Sequence, residues 1–348
     1  MSTTGSSNPE YVNARVRARR AALFSDDEYR KLVRMTPSEI ARYMEESEYE
    51  REINELGARH SGVDLIEYSL NRNLAKHFND LLAFSEGQIY DLIARYLRKF
   101  DAWNVKTILR GVYTNASREA IETDLIRAGE FDERQIDRLL EAATIEDVIT
   151  VLDRTIFGEP LEAAFEDFEE TGVLVPLENA VDRTFYESLL EGLPSSEPID
   201  LYGEFLEAEI DFRNARNALR LARSGADIDP AEYFIEGGKL FKARELQTLV
   251  QDPDQLITRI RDSSYGRELS EPLDGLESAD SLIEFEHALE AVLLKYSRRL
   301  GNVYPLSVCP VVAYILMKER EVENIRAIAR GREAGLSEAE IEQELVIL

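Results

Sequence analysis

The chain has 348 residues, of which 44% are hydrophobic, and its 68 acidic and 41 basic side chains give a net charge of −27. This length and apolar content suffice for a folded protein of two or three compact units, whereas the large negative charge argues against nucleic acid or an anionic membrane surface as a direct partner. The single cysteine, Cys309, excludes a disulfide framework within the chain and is typical of a reducing compartment.

Arginine predominates among the basic side chains, of which 33 are Arg and only 8 are Lys. An acid-rich, Lys-poor surface is typical of a protein kept soluble in high salt, where repulsion between exposed charges is screened within roughly 3 Å at 1 M salt. We therefore expect a halophilic source, and we attribute the acidity to the solvated surface.

The N-terminal segment begins with residues 1–9, a polar stretch that we expect to be a disordered tail and that lacks the charged-then-apolar pattern of a signal sequence. A helix is predicted after it, with Val12, Val16 and Leu23 on its buried side. The exposed side concentrates positive charge, for which two roles stay open: ion pairs with acids of this chain, or contact with an acidic partner. These possible partner-contact residues are Arg15, Arg17, Arg19 and Arg20.

Three similar segments, spaced 108 residues apart, have the pattern of capped helix starts. Their predicted N-cap residues are Thr36, Thr144 and Asp252. A looser similarity precedes each of them and begins at Phe24, Phe131 and Phe241. The repeat therefore extends well beyond one helix.

Each set of short helices is followed by a predicted pair of long helices. The pairs are 63–84 with 86–112, 176–192 with 198–223, and 277–300 with 305–331. The boundary signals that support these helices are Ser85 as a cap before Glu86, Pro198 near a helix start, and Gly111, Gly225 and Gly331 near helix ends.

One motif recurs on the second long helix of each pair, at a spacing of 110 residues, and reads acid-x-x-Asn-apolar-base-x-apolar-apolar-Arg. An internal repeat of this kind predicts three copies of one structural unit, each packed against its neighbours. The three motifs contain Asp101, Asn104 and Arg110; Asp211, Asn214 and Arg220; and Glu321, Asn324 and Arg330.

On a helical wheel, the apolar residues of each motif form one buried stripe. The predicted stripes are Ala102, Val105, Ile108, Leu109 and Val112; Phe212, Ala215, Ala218, Leu219 and Ala222; and Val322, Ile325, Ile328 and Ala329. The acid and the Asn lie in or beside the stripe and need hydrogen-bond partners, since an unsatisfied buried polar group costs about 1–3 kcal/mol. We predict that they dock neighbouring units; a ligand or ion site and contact with a partner are the alternatives.

Cutting the chain at the repeat gives helical units of 10–115, 116–225 and 226–335, followed by a C-terminal helix at 336–348. No stretch alternates apolar and polar residues long enough to predict a strand, so the fold class is all-α. The longest apolar run, Val303–Met317, is interrupted by Pro305 and Pro310 and is shorter than the roughly 20 residues that span a bilayer.

Candidate catalytic sites are weak in this sequence. Gly237-Gly-Lys239 is not a phosphate-binding loop, because that template requires a glycine where Tyr233 stands and a hydroxyl residue where Leu240 stands. The histidines have no second ligand at zinc spacing and are expected on surfaces or in helix packing; they are His60, His77 and His287. We expect no catalytic residue, no metal and no cofactor.

Several segments resemble the C subunit of the archaeal (A-type) ATP synthase, a relative of the vacuolar ATPase d subunit. The segments are Tyr11-Val-Asn-Ala-Arg-Val-Arg-Ala, Tyr304-Pro-Leu-Ser-Val-Cys-Pro-Val-Val-Ala-Tyr314 and Lys318-Glu-Arg-Glu-Val-Glu-Asn-Ile-Arg-Ala-Ile-Ala-Arg-Gly331. The resemblance extends from about Tyr11 to Gly331, and its last segment is the most specific.

The resemblance implies a non-catalytic subunit of a rotary ATP synthase, with three helical units arranged as a pseudo-threefold funnel. Such a subunit is peripheral to the membrane, on its cytoplasmic face, and couples the central stalk to the proteolipid rotor ring for proton- or sodium-driven ATP synthesis. The implied partners are stalk subunits D and F and the ring. A rival interpretation is an open α-solenoid adaptor that binds a partner helix or peptide, in which the first and third units would lie apart.

Overall fold

The computed structural model describes residues 7–224, 229–276 and 282–347, and within these ranges every regular element is a helix. The all-α prediction is thereby confirmed, while the funnel arrangement stays a prediction. The predicted tail at 1–9 lies outside the described residues except for 7–9, and Pro9 already begins the first helix.

The first half of the chain contains α1 (Pro9–Arg20), α2 (Asp26–Leu32), α3 (Pro37–Glu45), α4 (Glu50–Leu56), α5 (Gly62–Phe84), α6 (Gln88–Tyr113), α7 (Arg118–Thr123), α8 (Glu133–Leu140) and α9 (Ile145–Leu152). The second half contains α10 (Gly158–Thr171), α11 (Val175–Leu190), α12 (Glu197–Ser224), a 3₁₀ turn (Pro230–Tyr233), α13 (Ala243–Leu249), α14 (Pro253–Arg261), α15 (Gly266–Leu276), α16 (Ile283–Val303), α17 (Cys309–Glu333) and α18 (Glu338–Gln343).

The chain forms two compact units. One contains Ala94–Leu273 and the other combines Met1–Ile93 with Asp274–Leu348, as far as these residues are described. In the second of these, α17 packs against α1, α5 and α16, so residues from both terminal regions share one core. The predicted repeat boundaries are a division of the sequence and stay a prediction.

The three predicted N-caps are confirmed. The side chains of Thr36, Thr144 and Asp252 accept hydrogen bonds from backbone N–H groups three residues later, at 3.4, 3.1 and 3.1 Å. Each bond satisfies one of the N–H groups that a helix start leaves without an intrahelical partner. The three repeated segments therefore share the same helix-capping hydrogen bond.

The predicted long helices agree with α5, α6, α11, α12, α16 and α17 to within a few residues, although 277–281 lie outside the described residues. Pro198 is the second residue of α12, as expected. Ser85 is not an N-cap: it follows α5 and its hydroxyl donates to the Leu81 carbonyl, while the Glu86 N–H donates to Asn8 Oδ1 at 2.9 Å. Two side chains of the N-terminal segment accept from this stretch of backbone instead: Asn8 from Glu86, which precedes α6, and Ser7 Oγ from the Ile89 N–H of α6 at 3.3 Å.

Two of the glycines that were predicted near helix ends also permit close packing between helices. Gly111 and Gly331 lie inside the last turns of α6 and α17, where an added Cβ would come within 2.3 Å of Ile121 and 2.7 Å of Ile341. They permit the next short helix to pack against the long one. Gly225 lies outside the described residues.

The backbone reverses a few residues later, at positions with positive φ. These are Asn115 (φ 54°) and Gly335 (φ 76°), which follow α6 and α17 at equivalent places. Because Gly and Asn adopt the left-handed conformation most readily, they end these helices. The prediction that Gly111 and Gly331 lie near helix ends is confirmed, and the positions with positive φ are Asn115 and Gly335.

The three apolar stripes are confirmed as core. All of their predicted members are at most 5% exposed except Val112 and Ala222, which are half-buried at the ends of their stripes. Burial of these side chains holds each motif helix with one face inward, and this orientation places the acid and the Asn against neighbouring backbone.

Candidate functional site

The acid of each motif is a buried acceptor for the backbone of another segment. Asp101, Asp211 and Glu321 are no more than 2% exposed. The Asp101 carboxylate accepts from the N–H groups of Glu130 and Phe131 at 2.8 and 3.1 Å. Burial raises its pKa to about 7, although these two hydrogen bonds favour the charged form.

The other two acids bind one backbone N–H and one tyrosine hydroxyl each. Asp211 accepts from the Leu240 N–H at 2.7 Å and from the Tyr265 hydroxyl at 2.9 Å. Glu321 accepts from the Phe24 N–H at 2.6 Å and from the Tyr49 hydroxyl at 2.7 Å. The first two acids bind residues further along the chain, whereas Glu321 binds the N-terminal region.

Each motif asparagine makes a pair of hydrogen bonds with one residue of a following loop. Nδ2 donates to the carbonyl and Oδ1 accepts from the N–H, as in a strand pair. The partners are Ile126 for Asn104 (2.8 and 2.9 Å), Ile235 for Asn214 (2.8 and 3.0 Å) and Val346 for Asn324 (3.2 and 3.1 Å). An amide side chain offers a donor and an acceptor side by side, which an ionised carboxylate does not.

The bases of the motif hold the first long helix of another repeat. Arg110 binds Glu178 of α11 through two N–H···O bonds of 2.5 and 3.0 Å, and Arg330 pairs with Glu67 of α5. Glu67 and Glu178 are equivalent positions, 111 residues apart. Arg220, in the second motif, is exposed.

The third motif completes its contacts with two separate parts of the chain. The segment around α18 repeats that around α7 at a spacing of 220 residues, with Ser337 in place of Ser117 as the N-cap. The loop after α7 continues to Phe131, whose N–H donates to Asp101. At the equivalent carboxylate, Glu321, the donor is the N–H of Phe24. The C-terminal and N-terminal regions thus jointly supply what a single loop supplies to the first motif.

A buried ion pair lies at this junction. Lys318 is 1% exposed, and its Nζ donates to Glu321 Oε1 at 2.7 Å and to the Tyr49 hydroxyl at 2.9 Å. The ammonium also lies 4.2 Å from the centre of the Tyr49 ring. The sequence motif included Glu321 but missed both of these partners.

These contacts are those that a docking role requires, and the role itself is open to test by substitution. We expect Asn214→Leu to lower the free energy of unfolding by about 1–3 kcal/mol, because it leaves the buried N–H and carbonyl of Ile235 unsatisfied. Thermal unfolding in molar KCl measures the change. Asn217→Leu is the control on the same helix, since Asn217 makes a single 3.3 Å bond to the Tyr233 carbonyl. Equal melting temperatures for wild type and Asn214→Leu would contradict the docking role.

His77 is a buried histidine whose surroundings keep it neutral. Its Nδ1 lies 2.6 Å from the Tyr314 hydroxyl and 3.4 Å from the Arg19 guanidinium, both of which can donate. Nδ1 is therefore the acceptor and Nε2 carries the proton. Burial, followed by the charges of Lys318 and Arg19, lowers the pKa of His77 to about 3.

This lowered pKa predicts a loss of stability in mild acid. The unfolded imidazole takes up a proton below its ordinary pKa of about 6.5 and the folded one does not, so stability decreases as pH falls through 6.5. Relative to His77→Gln, we expect wild type to lose roughly 1.6 kcal/mol between pH 6.5 and 5. Urea unfolding at several pH values measures the difference between the free energies of unfolding of the two proteins. The raised pKa of Asp101 has the opposite effect on stability, and it cancels in this difference because both proteins contain Asp101. A pH-independent difference would contradict a neutral His77.

Two of the four N-terminal arginines make contacts within the chain. Arg19 pairs with Asp80 at 2.6 Å and lies over the Phe84 ring, as the intrachain interpretation expects. Arg15 lies 5.2 and 5.0 Å from the ring centres of Tyr11 and Phe84. Arg17 is exposed and Arg20 is half-buried. Partner contact stays a prediction for both.

The residues that resembled phosphate-binding or metal-binding motifs in the sequence make packing and ion-pair contacts in the structure. An added Cβ on Gly238 would lie 2.2 Å from Asp211 Oδ1, and Lys239 pairs with Glu207, so the Gly-Gly-Lys segment packs against the acid of the second repeated motif. His60 packs against the Tyr68 ring at 4.3 Å. Within the described ranges, no group of three or more His, Cys, Asp or Glu side chains could hold a metal ion, and no helix is long and apolar enough to cross a membrane.

Sequence reasoning missed a second set of ionic contacts. Asp182 of α11 binds Lys106 and Arg213, with Arg213 Nη2 2.7 Å from Asp182 Oδ2. The charges of Arg213 and Lys106 lower the pKa of Asp182 despite its burial. Asn71 occupies the equivalent place on α5 and accepts from Arg326 at 2.7 Å. The 111-residue spacing of Asn71 and Asp182 was the available signal, and it is visible only once the first long helices are aligned.

A family model described as ATP synthase (C/AC39) subunit matches residues 12–344. A relative from Haloferax volcanii is 70% identical over 348 residues, and one from Halorubrum lacusprofundi is 67% identical over 347 residues; both alignments cover 100% of each chain. One from Methanosarcina mazei is 36% identical over 351 residues and covers 99% of this chain and 94% of that one. Each is named as the C subunit of an A-type ATP synthase, and the haloarchaeal relatives agree with the expected halophilic source.

Proposed function

This chain belongs to the ATP synthase (C/AC39) subunit family, and we propose that it is the central-rotor subunit that couples the central stalk to the membrane proteolipid ring. The names of its relatives agree with an accessory subunit of a rotary ATP synthase, in which the chemistry of ATP is carried out by other subunits. The partners that we propose are stalk subunits D and F and the ring, at the cytoplasmic face of the membrane. The coupled ion is a proton or a sodium ion.

The observation that carries this proposal is the junction between the third and the first repeats. Glu321 and Lys318 of the third repeat bind Phe24 and Tyr49 of the first, through buried contacts of 2.6–2.9 Å. A subunit that transmits torque must resist deformation between its two attachment sites. Contacts of this kind support stiffness, because buried and fully paired polar groups are costly to separate.

The same junction argues against the open solenoid. In an open array each repeat contacts its sequence neighbours, and the first and last repeats have polar outer faces. Here α17 of the third repeat packs against α5 of the first. The division into three units at 10–115, 116–225 and 226–335 remains part of the proposal. In it, the motif helix of each repeat binds segments of the following repeat, and that of the third repeat binds segments of the first.

Release from native membranes tests the assignment. Membranes from a strain that carries a tagged chain are washed with low salt or chelator, and the released protein is purified through the tag. We expect subunits D and F to accompany the chain, and the ring to accompany it after mild detergent extraction. A chain that purifies with neither stalk nor ring would refute the proposal.

A further inference from the structure

The last two turns of α16 present a basic surface that the docking motifs do not use. Lys295, Arg298, Arg299, Asn302 and Val303 line a concavity of about 340 Å³. Their spacing of three, one, three and one residues places them on one face of the helix. We refer to these five residues as the α16 basic face.

The bases of this face lack acidic neighbours. Within the described part of the chain, Lys295 and Arg298 have no hydrogen bond or ion pair, and Arg299 lies over the Tyr296 ring at 5.0 Å without a carboxylate partner. The chain carries 68 acids, and bases of the motif helices such as Arg110 and Arg330 meet carboxylates of neighbouring helices. The α16 basic face thus brings together three bases that form no ion pair in the described part of the chain.

Exposed apolar side chains accompany the charge. Val303 is 57% exposed, and Leu306, in the turn that follows α16, is 53% exposed. Apolar contacts combined with arginines are typical of protein interfaces, where Arg side chains are enriched. The α16 basic face thus combines charge, apolar area and concave shape.

We propose that the α16 basic face binds an acidic segment of a neighbouring subunit, with carboxylates seated between Arg298 and Arg299 and an apolar side chain against Val303. This inference rests on the proposed function, because it places the partner within the synthase. The guanidinium groups can each bind a carboxylate through two parallel N–H···O bonds.

A protein segment fits this face better than an anionic membrane surface does. Molar salt screens attraction between exposed charges beyond roughly 3 Å, so diffuse attraction of three bases to lipid headgroups is weak. Contacts made at hydrogen-bond distance inside a concavity are screened less.

Charge reversal tests the inference in the whole chain. A tagged Arg298→Glu/Arg299→Glu variant is expressed in the halophilic host, and the synthase is extracted in mild detergent and molar KCl. We expect at least a tenfold loss of one neighbouring subunit from the purified chain, while the isolated variant melts within a few degrees of wild type. Arg134→Glu/Arg138→Glu is the control with the same charge change on exposed positions of α8, and it should retain every subunit.

Equal retention by both variants would overturn the inference while leaving the proposed function intact. Failure of the wild-type chain itself to purify with stalk or ring would refute the proposed function instead. The two failures are therefore distinguishable.

Site-directed cross-linking identifies the partner. Val303→Cys is labelled with a thiol-reactive photo-cross-linker in the assembled complex, and the wild-type chain is the blank because its Cys309 is 2% exposed. We expect a cross-link to a segment of a synthase subunit that contains at least two acidic residues. A cross-link to lipid or to an acid-poor segment would overturn the inference, as would sedimentation with phosphatidylglycerol vesicles in molar KCl that depends on Arg298 and Arg299.

Discussion

Replacing Lys318 with Met is expected to lower the free energy of unfolding by about 3–5 kcal/mol, because removing one partner of a buried ion pair leaves the other charge buried and unpaired. The carboxylate left behind, Glu321, is 1% exposed and would retain only the Phe24 N–H and the Tyr49 hydroxyl as donors. Urea unfolding in molar KCl measures the loss, and hydrogen exchange at the Phe24 N–H reports it locally.

The double variant Lys318→Met/Glu321→Gln separates charge from packing. It removes both charges and leaves an amide that can still accept from the Phe24 N–H, so we expect it to recover more than half of the lost stability. If the double variant were as unstable as the sum of its two single variants, the pair would not act as a unit. A Lys318→Met protein with wild-type stability would contradict the buried pair altogether.

Gly129→Ala is expected to cost about 3 kcal/mol, which combines overpacking with the loss of buried hydrogen bonds. A Cβ at this position would lie 2.1 Å from Asp101 Oδ1 and 2.3 Å from its Cγ. Either the carboxylate or the loop must move, and both movements break the bonds to the N–H groups of Glu130 and Phe131. Faster hydrogen exchange at these two groups, together with a lower urea midpoint, is the measurement.

Gly203→Ala provides the control for that substitution. Gly203 lies within α12, and its added Cβ would meet only Leu193 Cδ1, at an ordinary 3.8 Å. Since alanine is a better helix former than glycine by roughly 1 kcal/mol, we expect this variant to be as stable as wild type or more stable. Equal destabilisation by both alanines would show that the close approach at Asp101 is not the cause.

The sequence predicted those features that depend on local pattern. The three N-caps and the long helices follow from side-chain chemistry and apolar spacing within one segment. The error at Ser85 arose because distant side chains bind the backbone there: Asn8 accepts from the Glu86 N–H, and Ser7 accepts from the Ile89 N–H of α6. The side chain that occupies the space beside Gly111, Ile121, likewise comes from another helix. Local propensity contains no information about such partners.

The partners of the motif could not be predicted either. The acid and the Asn were recognised as buried polar groups that need hydrogen bonds, yet their acceptors and donors are mostly backbone atoms, which carry no signature in the sequence. The ion pair of Lys318 with Glu321 was not predicted, because the other two motifs have no lysine three residues before the acid: Arg98 and Ala208 stand there. A feature found in one repeat of three is invisible to a search for repetition.

Ion uptake by membrane vesicles tests the proposed coupling role most directly. Inverted vesicles are washed until the chain is removed, and ATP hydrolysis and ATP-driven proton or sodium uptake are then measured before and after the purified chain is added back. The proposal predicts that hydrolysis continues without the chain, that ion uptake is lost, and that wild-type chain restores it. Undiminished ATP-driven uptake in vesicles that lack the chain would contradict the proposed function.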